Sequence, residues 1–225
     1  MVQPKKKLGQ HFLTSDVIAQ RIAESVDIND VPILEIGPGK GKLTRFLIER
    51  FGSLLKAIEV DDESVEYLAA NFPELEGNVI AADFLKTDFS IHFANRFDVV
   101  GNFPYNISSQ ILFKVLEHRN QIQQVVGMFQ KEVADRVVSG PGSKTYGILS
   151  VLVQAYYNVE YLFTVQPGSF FPPPKVKSGV IRLNRNDREK LDCDELLFFR
   201  TVKLAFNQRR KTLRNAFAGT ELKKK

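Results

Sequence analysis

Cysteine is almost missing from this sequence, and so is any long apolar run. With Cys193 as its one cysteine, the chain cannot form an intramolecular disulfide, which excludes a disulfide-stapled scaffold and favours a reducing compartment. No apolar run approaches the roughly 18 residues of a membrane-spanning helix. The N-terminal stretch MVQPKKKLGQHFL has charges but lacks the apolar core of a signal peptide. These absences predict a cytoplasmic protein without a membrane partner.

Basic residues are concentrated in the last quarter of an otherwise ordinary globular composition. The chain has 225 residues, enough for one large domain, alone or with a small appendage. Residues 1–174 contain 16 Lys and Arg against 20 Asp and Glu, whereas residues 175–225 contain 15 against 6. A basic segment on a mildly acidic body indicates a polyanionic partner, most often nucleic acid. A solvated lysine-rich tail is the alternative, but the arginines of NQRRKTLRN are interleaved with apolar residues, as on one face of a packed helix.

Short apolar runs alternate with amphipathic stretches over the first two thirds of the chain. KLTRFLIERF, ESVEYLAANF and SSQILFKVLEHR carry apolar residues at helical spacing. The runs between them predict strands that are buried on both faces: PILEIG (32–37), LLKAIEV (54–60), NVIAAD (78–83), FDVVGN (97–102) and QQVVGMF (123–129). This alternation predicts an α/β fold, a parallel sheet with crossover helices. NVEYLFTV and SGVIRL would complete the sheet as an antiparallel pair.

A polar stretch without periodicity, NRNDREKLD (184–192), marks the expected domain boundary. We therefore predict a main domain over residues 1–184 and a helical segment over residues 185–225. In that segment ELLFFRTVKLAF and RKTLRNAF predict two helices. Two helices are too few to bury a core alone, so they pack on the main domain or belong to a larger helical unit.

The stretch LEIGPGKGKLT follows the first strand and opens a helix. Gly37, Gly39 and Gly41 let the backbone turn tightly and let a ligand approach it closely. Their spacing differs from the G-x-G-x-x-G fingerprint of nicotinamide dinucleotide sites, and the loop lacks the Gly-Lys-Ser/Thr of a triphosphate site. A Rossmann-type turn without a ligand is the plain alternative.

Two acidic residues are expected at the same edge of the sheet as this loop. Glu59 ends the second strand, where a carboxylate can accept both hydroxyls of a ribose. Asp83 ends the third strand, where a carboxylate can accept a hydrogen bond from an adenine amine. A lone acid at a strand end is usually just solvated, but three such features at successive strand ends predict a nucleoside pocket.

The fourth strand runs into the sequence GNFPYN at the same edge. Asn102 offers a side-chain carbonyl, Phe103 a backbone carbonyl that Pro104 holds extended, and Tyr105 a ring for stacking. Two acceptors on an adenine amine would help localise its lone pair, and a sulfonium methyl group is a strong electrophile. Methyl transfer would then need neither a metal nor a charged base before attack. A structural turn with a buried tyrosine is the alternative, and the nucleoside pocket beside it favours the reaction site.

Eight stretches together resemble one family: LGQHFL, LEIGPGKGKLT, AIEVDD, AADF, GNFPYNIS, FQKEVADR, GSKTYGILSVLVQAYY and FFPPPKVKSGVIRL. The family is that of the S-adenosylmethionine-dependent rRNA adenine N6,N6-dimethyltransferases, and the bacterial KsgA type is the most similar. The resemblance extends from Lys7 to about Phe217. It implies a Rossmann-like class I S-adenosylmethionine-dependent methyltransferase sheet with a small C-terminal helical domain.

The resemblance also assigns roles in binding S-adenosylmethionine. It implies that Gln10, His11 and Leu13 cap this cofactor and that the glycine loop holds its methionine end. Glu59 would bind the cofactor's ribose and Asp83 its adenine. The family tolerates asparagine at the position of His11, so we expect a positional contact there and not a catalytic base.

For the target base, the resemblance implies that Asn102 bridges the cofactor and the amine. Tyr105 would stack on the base, and Phe170 would hold its other face. The substrate would be two adjacent adenosines near the 3′ end of small-subunit (16S) rRNA, each receiving two methyl groups. The enzyme would act as a monomer on an immature 30S subunit, with a role in its biogenesis. Basic residues after position 174 would contact rRNA phosphates: Lys175, Lys177, Arg209, Arg210, Lys211 and Arg214.

Two features depart from the family pattern. The usual NLPY is NFPY here, and we expect little change because Phe103 contributes mainly backbone to the site. The family's C-terminal helical domain continues well past the QRRKTLRN helix, so we expect that domain to be incomplete in this chain, which affects rRNA docking more than cofactor binding.

Four alternatives remain on the sequence alone. An Erm-type enzyme would dimethylate large-subunit rRNA, although GSKTYGILSVLVQ and FPPPKVKSGV favour the small-subunit type. DNA adenine methyltransferases usually have Pro-Pro after the first residue of this motif. A non-catalytic RNA-binding or assembly factor would not need an intact cofactor pocket. A nicotinamide-dependent oxidoreductase would need a different glycine spacing.

Overall fold

Strands and helices alternate through most of the protein, as the sequence predicts. The computed structural model describes residues 2–5, 8–208 and 210–218. The strands are β1 (Phe12–Leu13), β2 (Ile33–Ile36), β3 (Leu55–Glu59), β4 (Val79–Ala81), β5 (Phe97–Asn102), β6 (Ile122–Gln130), β7 (Tyr157–Val165), β8 (Phe170–Phe171) and β9 (Ser178–Arg185). The helices are α1 (Asp16–Glu24), α2 (Thr44–Phe51), α3 (Asp62–Asn71), α4 (Ser108–Glu117), α5 (Lys131–Val138), α6 (Ile148–Gln154), α7 (Glu195–Asn207) and α8 (Leu213–Ala216).

Seven of these strands form one sheet, in the order β4-β3-β2-β5-β6-β9-β7. The five strands from β4 to β6 are parallel, and β9 runs antiparallel between β6 and β7. The predicted antiparallel pairing of the two late strands is thereby confirmed. Ile36 pairs with Ile58, and Glu59 pairs with Ala81. Because the neighbouring parallel strands are in this register, their carboxyl ends meet at one edge of the sheet.

Alternate residues of the central strands enter two separate apolar clusters. Leu34 of β2 and Val99 of β5 belong to one cluster, together with residues of α4, α5 and α6. Ile33 and Val100 belong to the other, with residues of α1 and α2. This burial of both faces explains why the strands are continuous apolar runs and not alternating patterns.

Helix α1 and the pairing of β1 with β8 are additions that the sequence pattern does not predict. Ser15 caps α1, because its side chain accepts a hydrogen bond from the backbone nitrogen of Ile18 at 3.4 Å. β1 and β8 are antiparallel, with Leu13 opposite Phe170. This short pair joins the N-terminal segment to the loop between β7 and β9.

The C-terminal helix α7 packs on the helices that flank the main sheet. The ring of Phe199 stacks 6.3 Å from that of Tyr156, and Phe206 lies edge-on to Tyr146 at 5.8 Å. The helix predicted over RKTLRNAF is shorter than expected, since α8 contains only Leu213–Ala216. The division of the chain into two domains stays a prediction. No helix in the described residues combines the length and the apolar character needed to cross a bilayer.

Candidate active site

A cavity of about 200 Å³ opens at the carboxyl edge of the sheet. The turns that follow β2, β3, β4 and β5 border it, and so do residues 8–12 of the N-terminal segment. Its lining includes most of the predicted site residues: Gln10, His11, Gly37, Gly39, Glu59, Asp83, Asn102, Phe103, Pro104 and Tyr105. The parallel register therefore gathers positions that are far apart in the sequence, at the place where open α/β sheets bind ligands.

The glycine loop after β2 serves two purposes. Gly37 has a φ of 65°, and nothing lies within 4 Å of the position where a Cβ atom would be, so a ligand can approach the backbone there. Gly41 does not border the cavity. A Cβ atom at Gly41 would lie 2.2 Å from the ring of Phe72, so this glycine allows the loop to pack against that ring. A cofactor contact by Gly41 stays a prediction.

Glu59 is held in place by the backbone around it. Its Oε2 accepts a hydrogen bond from the nitrogen of Gly39 at 3.1 Å, and its Oε1 accepts from the nitrogens of Val60 and Asp61 at 2.9 and 3.0 Å. Burial raises the pKa of Glu59, while these three N–H groups act in the opposite direction. A carboxylate oxygen can accept more than one hydrogen bond, so Glu59 is a fixed acceptor that can still receive ligand hydroxyls.

Asp83 is a second acceptor; it lies two residues beyond the end of β4, which is shorter than the sequence predicts. It is half-buried, and its Oδ1 accepts a hydrogen bond from the backbone nitrogen of Leu85 at 2.9 Å. The ammonium of Lys86 lies 3.7 Å from its Oδ2 and is largely exposed. The carboxylate is therefore oriented by its own turn and keeps acceptor capacity at the cavity.

The N-terminal segment is fastened beside the cavity by polar contacts at both ends. The backbone nitrogen of Lys5 donates to Oε1 of Gln10 at 2.8 Å, and the Lys5 ammonium pairs with Asp61. Further along, the amide nitrogen of Asn102 donates to the backbone oxygen of His11 at 2.9 Å. The segment therefore contributes directly to the geometry of the site.

The bond to His11 fixes which way the Asn102 amide faces. A backbone carbonyl can only accept, so the NH₂ group of Asn102 must face it and the other amide atom must be the oxygen. Among the described residues, none donates a hydrogen bond to Oδ1 of Asn102 or to the backbone oxygen of Phe103. The strand end thus presents two acceptors beside a nucleoside-sized cavity.

The side chain and the backbone of Phe103 have different surroundings. The ring is buried, lies edge-on to Phe129 at 4.9 Å, and fills the space left by two glycines, Gly101 and Gly127. Its backbone nitrogen donates to the oxygen of Met128 at 3.1 Å. Phenylalanine in place of the usual leucine therefore enlarges a core contact and leaves the backbone at the site, as expected.

Tyr105 and His11 lie against each other at the cavity wall. Their ring centroids are 5.3 Å apart with an interplanar angle of 33°. Nδ1 of His11 lies 2.7 Å from the backbone oxygen of Pro172, which can only accept, so Nδ1 carries a hydrogen. The Tyr105 hydroxyl lies 2.6 Å from Oγ of Ser178. Burial raises the pKa of Tyr105, so its hydroxyl stays protonated.

Leu13 and Phe170 lie outside the lining of the main cavity. They face each other in the β1–β8 pair, and both are buried in the apolar cluster with α1 and α2. Leu13 borders a smaller neighbouring pocket of about 30 Å³. In the two-residue strand β8 the chain alternates, so Phe170 faces the core and Phe171 faces outward. The role of Phe170 against the target base stays a prediction, and it requires this pair to shift.

Glu35 is a candidate residue that the sequence analysis does not assign. It is buried in β2, its Oε2 has no hydrogen-bond partner among the described residues, and it borders the same small pocket as Asn102. Burial raises the pKa of Glu35 to about 8. The hydroxyl of Thr44, which also has no hydrogen-bond partner among the described residues, acts in the opposite direction. The carboxyl group is therefore incompletely paired, which favours a functional role. The signal in the sequence is an acid within the apolar run PILEIG, two residues before the first glycine.

The predicted RNA contacts are exposed where the structure describes them. Lys175 and Lys177 lie in the loop that leads into β9. Arg210, Lys211 and Arg214 lie at the turn between α7 and α8 and in α8 itself, and Arg209 lies outside the described residues. Contacts between these residues and rRNA stay a prediction.

Comparisons with known proteins agree with this geometry. The family described as ribosomal RNA adenine dimethylase matches residues 1–224. The chain is 61% identical over 217 residues to the "Ribosomal RNA small subunit methyltransferase A" of Parabacteroides distasonis, which covers 96% of this chain and 81% of the relative.

Solved structures of the same kind have the same fold. A dimethyladenosine transferase from Plasmodium falciparum is 29% identical, with a TM-score of 0.77 over 92% of this chain and 74% of that one. The 23S rRNA methyltransferase ErmE is 28% identical, with a TM-score of 0.70 over 95% of this chain and 86% of that one. The chain therefore belongs to the ribosomal RNA adenine dimethylase family.

Proposed function

We propose that this protein uses S-adenosylmethionine to dimethylate the N6 amines of two adjacent adenosines near the 3′ end of small-subunit (16S) rRNA. The observation that carries this proposal is the orientation of Asn102, whose amide oxygen is left as an acceptor at the cavity. Membership of the rRNA adenine dimethylase family supports the reaction. The 61% identity to a small-subunit enzyme, against 28% to ErmE, supports the choice of subunit.

The residues at the carboxyl edge fit S-adenosylmethionine. Glu59 would accept its ribose hydroxyls and Asp83 its adenine amine, while the open position at Gly37 allows close approach to the backbone. The unpaired Oε2 of Glu35 is a suitable acceptor for the ammonium group at the methionine end. When bound, the cofactor supplies a methyl group on a sulfonium sulfur, which is a strong electrophile.

The chain's own contribution to methyl transfer is orientation and polarisation. Oδ1 of Asn102 and the backbone oxygen of Phe103 would accept hydrogen bonds from the N6 amine, which localises a lone pair that is otherwise delocalised into the ring. A monomethylated amine still has one hydrogen, so one of these acceptors remains useful in the second transfer. Preorganised acceptors need no charged base before attack.

The target adenine must leave its stack to reach this cavity. Tyr105 would provide the surface on which the base stacks, and Phe170 the other face after a shift of the β1–β8 pair. The exposed basic residues after position 174 would contact rRNA phosphates and bring most of the binding energy. We expect the enzyme to act as a monomer on an immature 30S subunit, in the cytoplasm.

The test is methylation of ribosomal subunits from a strain that lacks this modification, with labelled S-adenosylmethionine and mapping of the modified adenines. We expect label in small subunits, on two adjacent adenosines, each dimethylated. Label in large-subunit rRNA alone would instead establish an Erm-type activity. The absence of both transfer and calorimetric binding of S-adenosylmethionine would favour a non-catalytic assembly factor.

A further inference from the structure

We propose that Ser178 is a positioning residue that fixes the ring of Tyr105 before the target adenine arrives. The inference rests on the proposed function, in which this ring stacks on the base. Ser178 lies 73 positions after Tyr105 in the chain and has no part in the cavity lining. Its effect on methyl transfer would therefore pass entirely through the tyrosine.

A hydrogen bond at the tip of the tyrosine fixes the position of the far end of the ring. The hydroxyl oxygens of Tyr105 and Ser178 are 2.6 Å apart. Ser178 is fully buried, whereas Tyr105 is half-buried and borders the cavity. The hydroxyl oxygen lies on the axis of the Cβ–Cγ bond, so holding it restricts rotation about the Cα–Cβ bond. The ring of His11, with its centroid 5.3 Å away, limits rotation of the Tyr105 ring about the Cβ–Cγ bond.

Ser178 is a firm anchor because it is held from both sides. As the first residue of β9, it pairs with Gln130 of β6 and with Val165 of β7. A Cβ atom at the next residue, Gly179, would lie 2.8 Å from the side chain of Ala134, so the packing there leaves little room for movement.

Tyr105 by itself has no comparable support from the backbone. It begins a single 3₁₀ turn over Tyr105–Ile107, just after the strand β5 has ended. The bond to Ser178 thus connects an irregular turn at the cavity to the middle of a three-strand region. Because the ring is already held in place, less side-chain entropy is lost when the base stacks on it.

The expected consequence is a slower methyl-transfer step with unchanged docking. Most of the affinity for a ribosomal subunit would come from phosphate contacts outside the cavity, so KM reports on those contacts. A loosely held ring would instead place the base less often in a reactive geometry, which lowers the transfer rate. If the bond only satisfied a buried hydroxyl, its removal would lower the stability of the protein and leave the transfer rate unchanged.

The test is a double-mutant cycle of Ser178→Ala and Tyr105→Phe, measured as single-turnover methyl transfer to unmodified small subunits. Each single variant should slow transfer about two- to tenfold, the range for one net hydrogen bond. The double variant should be no slower than either single one, because both remove the same bond. KM for the subunits and the Kd of S-adenosylmethionine should stay at wild-type values.

A matched control is Tyr157→Phe, which removes another buried tyrosine hydroxyl, one that donates to the backbone oxygen of Ile122 at 2.9 Å. It lies outside the cavity lining, so this variant should transfer methyl groups at the wild-type rate. A wild-type rate for Ser178→Ala, or multiplied effects in the double variant, would overturn the inference. If the wild-type enzyme transferred no methyl group, the proposed function would be refuted. If it transferred methyl groups but Ser178→Ala did so at the same rate, only the role of Ser178 would be refuted.

Discussion

Each of the two edges of the central sheet buries an acidic side chain, but the two side chains differ in their hydrogen bonding. At the amino edge, Asp98 of β5 accepts hydrogen bonds from Nδ2 of Asn29 at 3.1 Å and from the backbone nitrogen of Gln124 at 2.8 Å. At the carboxyl edge, Glu35 of β2 is equally buried, but its Oε2 has no partner among the described residues. Burial raises the pKa of Asp98 to about 6 and that of Glu35 to about 8.

The difference separates a structural network from a binding site. At the amino edge, Nε2 of Gln124 also donates to Asp27 and to Oδ1 of Asn184, so one amide connects β6, β9 and the loop before β2. At the carboxyl edge, Oε2 of Glu35 has no hydrogen-bond partner among the described residues, although the nearby hydroxyl of Thr44 acts to lower the pKa of Glu35, and none of these residues donates to Oδ1 of Asn102. Acceptors that border a cavity and have no donor among the described residues are available to a ligand.

The largest expected effect is that of Asn102→Ala on methyl transfer. Removing one preorganised acceptor at the reacting amine should lower the single-turnover rate by about 10²- to 10³-fold, as loss of one oxyanion-hole donor does. Asn184→Ala is the matched control, because it removes an asparagine from the amino-edge network. It should lower the midpoint of thermal unfolding and leave the rate unchanged. Wild-type turnover of Asn102→Ala would refute the proposed mechanism.

A smaller effect is expected when each buried acid is replaced by its amide. Glu35→Gln should weaken S-adenosylmethionine binding about tenfold in calorimetry, because the amide keeps an acceptor oxygen but loses the negative charge that strengthens a hydrogen bond to an ammonium group. Asp98→Asn should leave that affinity at the wild-type value, since the amino edge is remote from the cavity. Equal affinities for the two variants would mean that the charge of Glu35 contributes nothing to cofactor binding.

The same two variants should differ in the pH dependence of stability. Since burial raises the pKa of Glu35 from 4.5 to about 8, the unfolded chain loses its proton first, and wild-type stability should fall as pH rises between these values. For Asp98 the pKa rises from 3.8 to about 6, so its window is lower. Urea unfolding at a series of pH values should show the upper decline reduced in Glu35→Gln and only the lower one reduced in Asp98→Asn. The raised pKa of Glu59 acts in the same direction, so neither variant should abolish the decline.

Local pattern predicts most of the sheet but not what is attached to it. The strands are apolar runs because both faces are buried, and that property is visible in the sequence. The pairing of β1 with β8 involves two residues on each side and depends on a contact between segments far apart in the chain. Helix α1 begins at a plain serine cap, and its nine residues are too short for periodicity to identify it with assurance.

At the site, sequence predicts which groups are present but not how they are bonded. Glu59, Asp83 and Asn102 could be placed at one edge because each lies at or just beyond the carboxyl end of a parallel strand. The orientation of the Asn102 amide depends on the His11 carbonyl, 91 positions away, and no local pattern contains it. The burial of Phe170 likewise depends on its pairing with Leu13. The unpaired state of Glu35 can be established only by knowing every neighbour.

The smallest expected effect tests a surface that belongs to neither edge. Arg210 is exposed at the turn after α7, and Arg210→Ala should weaken binding to small subunits while leaving cofactor affinity unchanged. If this arginine contacts a phosphate, the slope of log K against log salt should fall by about one. Arg96→Ala is the matched control, because Arg96 is equally exposed but lies just before β5 at the amino edge. An unaltered salt slope in Arg210→Ala would mean that this face is not part of the rRNA interface. An equal change of the slope in both variants would mean that the effect comes from the net charge of the protein and not from a specific phosphate contact.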